Sequence, residues 1–272
     1  MPSDRPTSPT IDQLRAVVQP DAVLARSNAE HWTGTLYMRR LSVYLTFLLI
    51  RTPISANGVT WLMILAGAAA GPALLLPGIW GPLLAAALAQ LQMFLDCSDG
   101  EVARWRKTSS PKGIFLDQIG HYVAEGSIGL FIGIKAAALV GGVTSHIDWR
   151  YAVAGALLMG LIWFNKSLNM MVTVARLNAG WSKLSDSQES RAIPPATLLG
   201  RARRAARWVP LHRLYHSTEL TLVTLLCGAL AASTPDPLVV WRAYVVGLLV
   251  VLIAVIGGHF LAIWRSPRLA AP

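Results

Sequence analysis

Charge is scarce in this chain. Asp, Glu, Lys and Arg together make up 14% of its 272 residues, against about a quarter in soluble globular domains. Hydrophobic residues take 54% and the mean hydropathy is +0.48. This balance argues against a soluble domain and for a polytopic membrane protein. Cysteine is nearly absent: Cys97 and Cys227 stand far apart in apolar surroundings. No disulfide framework, zinc motif or redox pair can be built from that spacing, and both residues read as small buried hydrophobes. The first ten residues hold three prolines and several Ser and Thr but no apolar core. A disordered tail is expected there, without a cleaved signal peptide. Acid is scarcer than base, and the net charge of +10 raises the question of nucleic acid, which the distribution of that charge answers.

What the chain does have is long apolar runs. Six are long enough to span a bilayer, at about 57–77, 79–105, 112–142, 148–178, 214–234 and 237–264, each above the ~20 residues that crossing requires. Turns at Pro77-Gly78, Gly141-Gly142 and Pro235-Asp236-Pro237 divide consecutive spans. Lys and Arg then set the orientation. Six lie before residue 52, four within 104–112, eight within 176–213 and two after 264, which is twenty of the 24, all on one side of this topology. The positive-inside rule makes that side cytoplasmic, with both termini in the cytoplasm and the protein integral to the cytoplasmic (inner) membrane. Topology and anionic headgroups thus account for the net charge, and no nucleic acid partner is needed.

Before the first span, Ile11 to Arg26 suits an amphipathic interfacial helix. Tyr37 to Ile50, flanked by Arg39, Arg40 and Arg51, is too short to span and suits a second interfacial helix. The expected organisation is a tail over 1–10, juxtamembrane helices over 11–56 and a six-helix all-α membrane domain over 57–265. Trp80, Trp149, Trp181 and Trp264 fall near span ends as belt residues, and Lys135 is placed to snorkel to the outer interface.

Against this apolar background the acids stand out, because carboxylates at membrane depth are costly and functional. The stretch Asp96-Cys97-Ser98-Asp99-Gly100-Glu101-Val102-Ala103-Arg104 ends the second span. On a helix Asp96, Asp99, Gly100 and Ala103 fall at i, i+3, i+4 and i+7, so they share a face. Two carboxylates on that face suit a hard divalent cation. Gly100 and Ala103 leave room for a flat ligand. Asp117 and His121, an i, i+4 pair, share a face at the start of the third span, and Gly113 opens the same face. Both halves lie at the cytoplasmic interface. A water-soluble group reaches that depth from the cytosol while an apolar tail stays in the bilayer.

The order Asp96, two residues, Asp99-Gly100, two residues, Ala103-Arg104, eight residues, Gly113, three residues, Asp117, three residues, His121 resembles the signature of the CDP-alcohol phosphotransferases. Those are membrane enzymes that displace CMP from a CDP-linked alcohol. Seven of the eight signature positions match over 26 residues; the family's last Asp is His121 here. Thr52-Pro53-Ile54-Ser55-Ala56-Asn57-Gly58-Val59-Thr60 also resembles the family's Pro-Asn-x-x-Thr entry to the first span, with Ala56 in place of the Pro. The resemblance implies Mg²⁺ or Mn²⁺, one or two ions, held by Asp96, Asp99 and Asp117. It implies that Gly100, Ala103 and Gly113 border the cytidine and its phosphates, and that Arg104 contacts phosphate or steadies a carboxylate; Asp96 and Asp99 border the nucleotide too. CDP-diacylglycerol is the donor the family suggests, within phospholipid biosynthesis, and a homodimer is the assembly it suggests.

In the family the last Asp takes the acceptor's hydroxyl proton or binds metal. Three readings of the departure stand side by side: His121 replaces the Asp as base or ligand, Glu125 one turn further helps or substitutes, or the site binds nucleotide without turnover. The roles of donor and acceptor are open as well, since a soluble CDP-alcohol donor with a lipid acceptor obeys the same chemistry. A transporter is disfavoured because the acids cluster at one interface rather than crossing the membrane.

Other polar residues invite weighing. Lys166, Asn169, Thr173 and Arg176 lie at i, i+3, i+7 and i+10 in the fourth span. Lys166 and Arg176 are candidates for an acceptor or donor phosphate, and Lys166 alternatively pairs with Glu125 or Glu219 for packing alone. His212, His216 and Glu219 share a face, but without HEXXH-type spacing they read as structure or substrate polarity rather than as zinc ligands. Arg201, Arg203, Arg204 and Arg207, interleaved with Ala and followed by Trp208, read as an interfacial helix on anionic lipid.

Overall fold

The computed structural model describes residues 5–6, 9–20, 37–138, 147–182, 184 and 213–270. Among them are eight α-helices and no strand. In chain order they are α1 (Ile11–Val18), α2 (Arg39–Leu49), α3 (Ala56–Ala73), α4 (Trp80–Arg106), α5 (Pro111–Ala136), α6 (Trp149–Asn178), α7 (Ser217–Ala232) and α8 (Pro237–Trp264). A short 3₁₀ turn, Pro267–Leu269, follows. The all-α expectation holds for the described residues. The Arg201–Trp208 stretch and His212 lie outside them.

Local chemistry places the helix ends. Thr10 and Gln13 form a capping box at the start of α1. Ser55 and Ser110 accept from the backbone N–H of Gly58 and Gly113 at the starts of α3 and α5. Lys107 ends α4 in the left-handed region at φ 58°. Three residues later Ser110 and Pro111 start α5. This tight reversal turns the two halves of the acidic motif toward each other.

The bundle centres on α3, α4 and α5: α3 packs on both α4 and α5, α6 lies on α5, α7 on α4, and α8 on α5, α6 and α7. Close approach relies on small residues, as in membrane helix packing. A Cβ at Gly71 of α3 would collide with the Ser127 backbone of α5, and one at Gly133 of α5 would collide with Gly155 of α6. Ser127 Oγ donates to Ala68 O at 2.9 Å across the first of these contacts. Lys135, expected to snorkel to the outer interface, reaches the carbonyls of the turn after α3, donating to Leu74 O at 2.5 Å and Leu76 O at 2.9 Å. Those carbonyls have no helical N–H to receive them, which is why the ammonium goes there.

The two short helices are strapped to α4 by polar contacts that helical spacing alone does not reveal. Glu101 is wholly buried. Its Oε1 accepts from Gln19 Nε2 at 2.8 Å and Ser42 Oγ at 2.7 Å, and its Oε2 from Thr46 Oγ1 at 2.6 Å. Arg104 Nε donates to Val18 O at 2.7 Å. Within the expected tail, Arg5 donates to Arg104 O at 2.7 Å and to the Trp105 carbonyl. Arg106 donates to the carbonyls of Leu49, Ile50, Thr52 and Ile54, so its guanidinium takes up the acceptors left over where α2 ends.

Among the described residues two helices are long and apolar enough to cross a membrane: α6, with 30 residues, and α8, with 28. Composition and length set the others apart. α4 and α5 carry the acids, α7 has 16 residues, and α3 has 18 and opens on Ala-Asn-Gly. Six bundle helices lie near the expected bounds, and among the described residues two of them, α6 and α8, have the length and composition of a span. Large apolar side chains nevertheless face outward on several helices, among them Leu62 and Leu65 of α3, Leu91 of α4, Leu157 of α6 and Ile253 of α8. Patches of this kind need a lipid or protein cover.

Replacing Glu101 with Ala removes the acceptor of three buried donors. It is expected to destabilise the protein by about 3 kcal/mol or more, whereas Arg150→Ala, at an exposed ion pair with Asp148, leaves stability unchanged. Thermal unfolding in detergent checks both; a Glu101→Ala midpoint equal to wild type would contradict the strapping role.

Candidate metal centre

The hairpin of α4 and α5 brings three expected site residues together. His121 Nε2 lies 3.0 Å from Asp96 Oδ1 and 3.6 Å from Asp117 Oδ1. One ligand atom from each of the three falls within 4.8 Å of the others. All three are half-buried, so the cluster keeps an open side. Among the described residues no other group of three or more His, Cys, Asp or Glu is arranged to hold an ion. Two carboxylate oxygens and an imidazole nitrogen are a chemically competent donor set for a divalent metal.

Asp99 sits one turn along α4 and points differently. Only 9% exposed, its Oδ2 lies 2.6 Å from Thr60 Oγ1 of α3. It stays within electrostatic reach of Asp96 and Asp117. Asn57, at the start of α3, lies against Gly113, where an added Cβ would stand 3.1 Å from Asn57 Oδ1. The start of α3 is thus a wall of the site. Asn57 and Thr60 both belong to the Asn-x-x-Thr portion of the entry stretch, so a signal for them was present in the sequence.

The small residues of the motif are less bare than their composition suggests. The Arg104 guanidinium lies over Gly100, where an added Cβ would meet Nη1 at 3.2 Å. Ala103 packs on the apolar cluster of Val59, Met63 and Leu95. Gly100 is therefore covered by a side chain of its own helix, Ala103 serves a contact with α3, and Arg104 spends its Nε on the end of α1.

A second polar centre adjoins the first. Glu125, one turn beyond His121 and 2% exposed, accepts on Oε1 from Lys166 Nζ of α6 at 2.7 Å. His216 Nδ1, at the start of α7, lies 3.1 Å from the same oxygen. Glu125 is thus held by a cation and an imidazole from two other helices, outside the Asp96–Asp117–His121 group. Of the two pairings open to Lys166, with Glu125 or with Glu219, the fold realises the one with Glu125. The remaining stripe disperses. Asn169 Oδ1 lies 3.3 Å from His259 Nε2 of α8, and Thr173 bonds back to Asn169 O at 3.4 Å. Arg176 donates to Ser182 O at 3.1 Å and Arg268 O at 2.7 Å. Arg176 therefore ties the end of α6 to the C-terminal turn and does not point into the acidic site. Glu219 is buried on α7.

The paired helix ends thus bring two carboxylates and an imidazole into a group that could hold a divalent ion, with a Thr-supported carboxylate beside it. Comparison with known families agrees: the CDP-alcohol phosphatidyltransferase pattern matches residues 53–230, well over half the chain, so the chain belongs to that family. No curated protein matches it. The matched region runs from the entry to α3 through most of α7. It takes in Thr60, Glu125, Lys166 and His216 as well as the acidic signature, and leaves out α1, α2 and α8. The family transfers a phosphate-bearing group from a CDP-alcohol and generally uses a divalent metal. Membership and the two apolar helices together make the chain a membrane-associated transferase.

If Lys166 serves to hold Glu125, as their 2.7 Å contact indicates, Lys166→Met leaves a buried carboxylate short of its cation and destabilises the protein by about 3 kcal/mol. Adding Glu125→Gln is expected to restore much of that loss. A double-mutant cycle on unfolding in detergent reads the coupling; additive effects would contradict the pairing.

Proposed function

We propose that the protein is a six-span enzyme of the inner membrane, with both termini cytoplasmic. It would transfer a substituted phosphoryl group from a CDP-alcohol, CDP-diacylglycerol foremost, to a hydroxyl acceptor, releasing CMP, in phospholipid biosynthesis. The observation that carries this reading is the convergence of Asp96, Asp117 and His121 at one end of the α4–α5 hairpin, within a chain of this family. The basic run Arg104 to Lys112 joins the two helices at that end, which favours the cytoplasmic side. Ile114 and Phe115, 67% and 65% exposed on the first turn of α5, offer an apolar flank to the lipid part of a donor.

In this reading Asp96 and Asp117 hold the divalent ion, Mg²⁺ or Mn²⁺. Asp99, steadied by Thr60, completes the acidic wall facing the nucleotide. When bound, the ion neutralises the diphosphate and the charge that develops on departing CMP. Asp96, Asp99, Gly113 and Arg104 line the side from which the nucleotide approaches. The acceptor's hydroxyl oxygen attacks the phosphorus that carries the alcohol, the bond from that phosphorus to the CMP oxygen breaks, and the hydroxyl proton passes to a basic group of the site. His121 takes the place of the family's last acid, touching both ligating carboxylates. The Lys166–Glu125–His216 centre holds α6 and α7 against this site and carries a cation toward an acceptor phosphate.

Purified protein given CDP-diacylglycerol, Mn²⁺ or Mg²⁺ and a panel of polyols is expected to release CMP. Asp96→Asn and Asp117→Asn are expected to lower the rate by about a hundredfold or more. CMP release only from soluble CDP-alcohols with added lipid acceptor would reverse the donor and acceptor roles. Nucleotide binding without release under any condition would contradict the enzymatic reading and leave a nucleotide-binding membrane protein.

A further inference from the structure

The ion site differs from an all-carboxylate site in one donor, and that difference has a chemical consequence. Resting on the reading above, we propose that His121 binds the ion directly through Nε2, making the site selective for borderline first-row divalent ions over Mg²⁺. Three observations support this. First, Nε2 is the atom of His121 turned toward the carboxylates, 3.0 Å from Asp96 Oδ1 and 3.6 Å from Asp117 Oδ1. It therefore occupies a ligand position rather than a place behind one. Second, among the described residues no further carboxylate joins the group: Asp99 lies outside it with Oδ2 on Thr60, and Glu125 is held by Lys166 and His216. Third, neutral imidazole carries one negative charge fewer than the carboxylate it replaces.

Mg²⁺ depends on hard oxygen donors and charge, and gives up its waters reluctantly. Nitrogen donors suit first-row transition ions, with affinity rising from Mn²⁺ toward Zn²⁺. Losing an anionic oxygen weakens Mg²⁺ binding outright. For Mn²⁺, Co²⁺ or Zn²⁺ the nitrogen offsets part of that loss. His121 thus acts as the selectivity determinant of the centre, and the engagement of Glu125 elsewhere is the reason no neighbouring acid undoes it.

Mn²⁺ titrated into the purified wild-type protein and followed by electron paramagnetic resonance reads binding without turnover. Pulsed measurements on the bound ion are expected to show a directly coordinated ¹⁴N nucleus, which is lost when the protein is grown on ¹⁵N-histidine. Competition is expected to require about tenfold less Mg²⁺, or less still, to displace Mn²⁺ from His121→Asp than from wild type, and Zn²⁺ is expected to displace Mn²⁺ from wild type more readily than Mg²⁺ does. Bound Mn²⁺ without nitrogen coupling, or equal Mg²⁺ competition in the two proteins, would overturn the proposal. The broader reading would survive that result as long as Asp96→Asn abolishes Mn²⁺ binding. Failure of wild type to bind Mn²⁺ at millimolar concentration would overturn both. The nitrogen measurement needs no variant, so an unfolded His121→Asp protein would not blunt the test.

Discussion

Two carboxylates from different helices share one imidazole, and the rest of the structure is arranged to keep them there. Asp96 and Asp117 would repel one another in weakly polar surroundings. His121 stands between them at hydrogen-bonding distance from one and just beyond it from the other. Holding like charges together requires the helices that carry them to be fixed independently of the acids. The left-handed turn at Lys107 and the Ser110 cap fix the reversal. Glycine contacts fix the spacing of α3, α5 and α6. Thr60 fixes the third acid from the side of α3.

Two groups of polar side chains outside the cluster support it. One faces the short N-terminal helices: Glu101, Arg104 and Arg106 each spend hydrogen bonds on α1, α2 or the turn after α2. They anchor the end of α4 from behind the site. The other faces the second half of the bundle, where Glu125 gathers Lys166 and His216. Because Glu125 lies one turn from His121, the same helix α5 carries both a member of the acidic cluster and the ion pair that docks it.

Much of the candidate site was legible in the sequence because it depends on spacing along helices. The i, i+4 relation of Asp117 and His121 and the tight link between spans were enough to bring them to Asp96. What depends on tertiary neighbours was not legible. The stripe Lys166, Asn169, Thr173 and Arg176 obeys helical periodicity, yet its members scatter: α5 claims Lys166, α8 claims Asn169 and the C-terminal turn claims Arg176. Gly100 looked open to a ligand from composition, and Arg104 covers it. Glu101 sits within the motif but faces the other way, because the helix turns it toward α2. Thr60 could have been found, since the entry stretch already resembled the family. The six expected spans follow six real helices, but polar motif residues and modest lengths leave α6 and α8 as the two with clear spanning composition.

Convergence of the ends of α4 and α5 on one ion can be seen in crystals soaked in Mn²⁺ and measured at the manganese absorption edge. It requires an anomalous peak within about 2.0–2.6 Å of Asp96 and Asp117 oxygens, with His121 Nε2 alongside. A peak elsewhere, or the three side chains turned away from a common point, would contradict it.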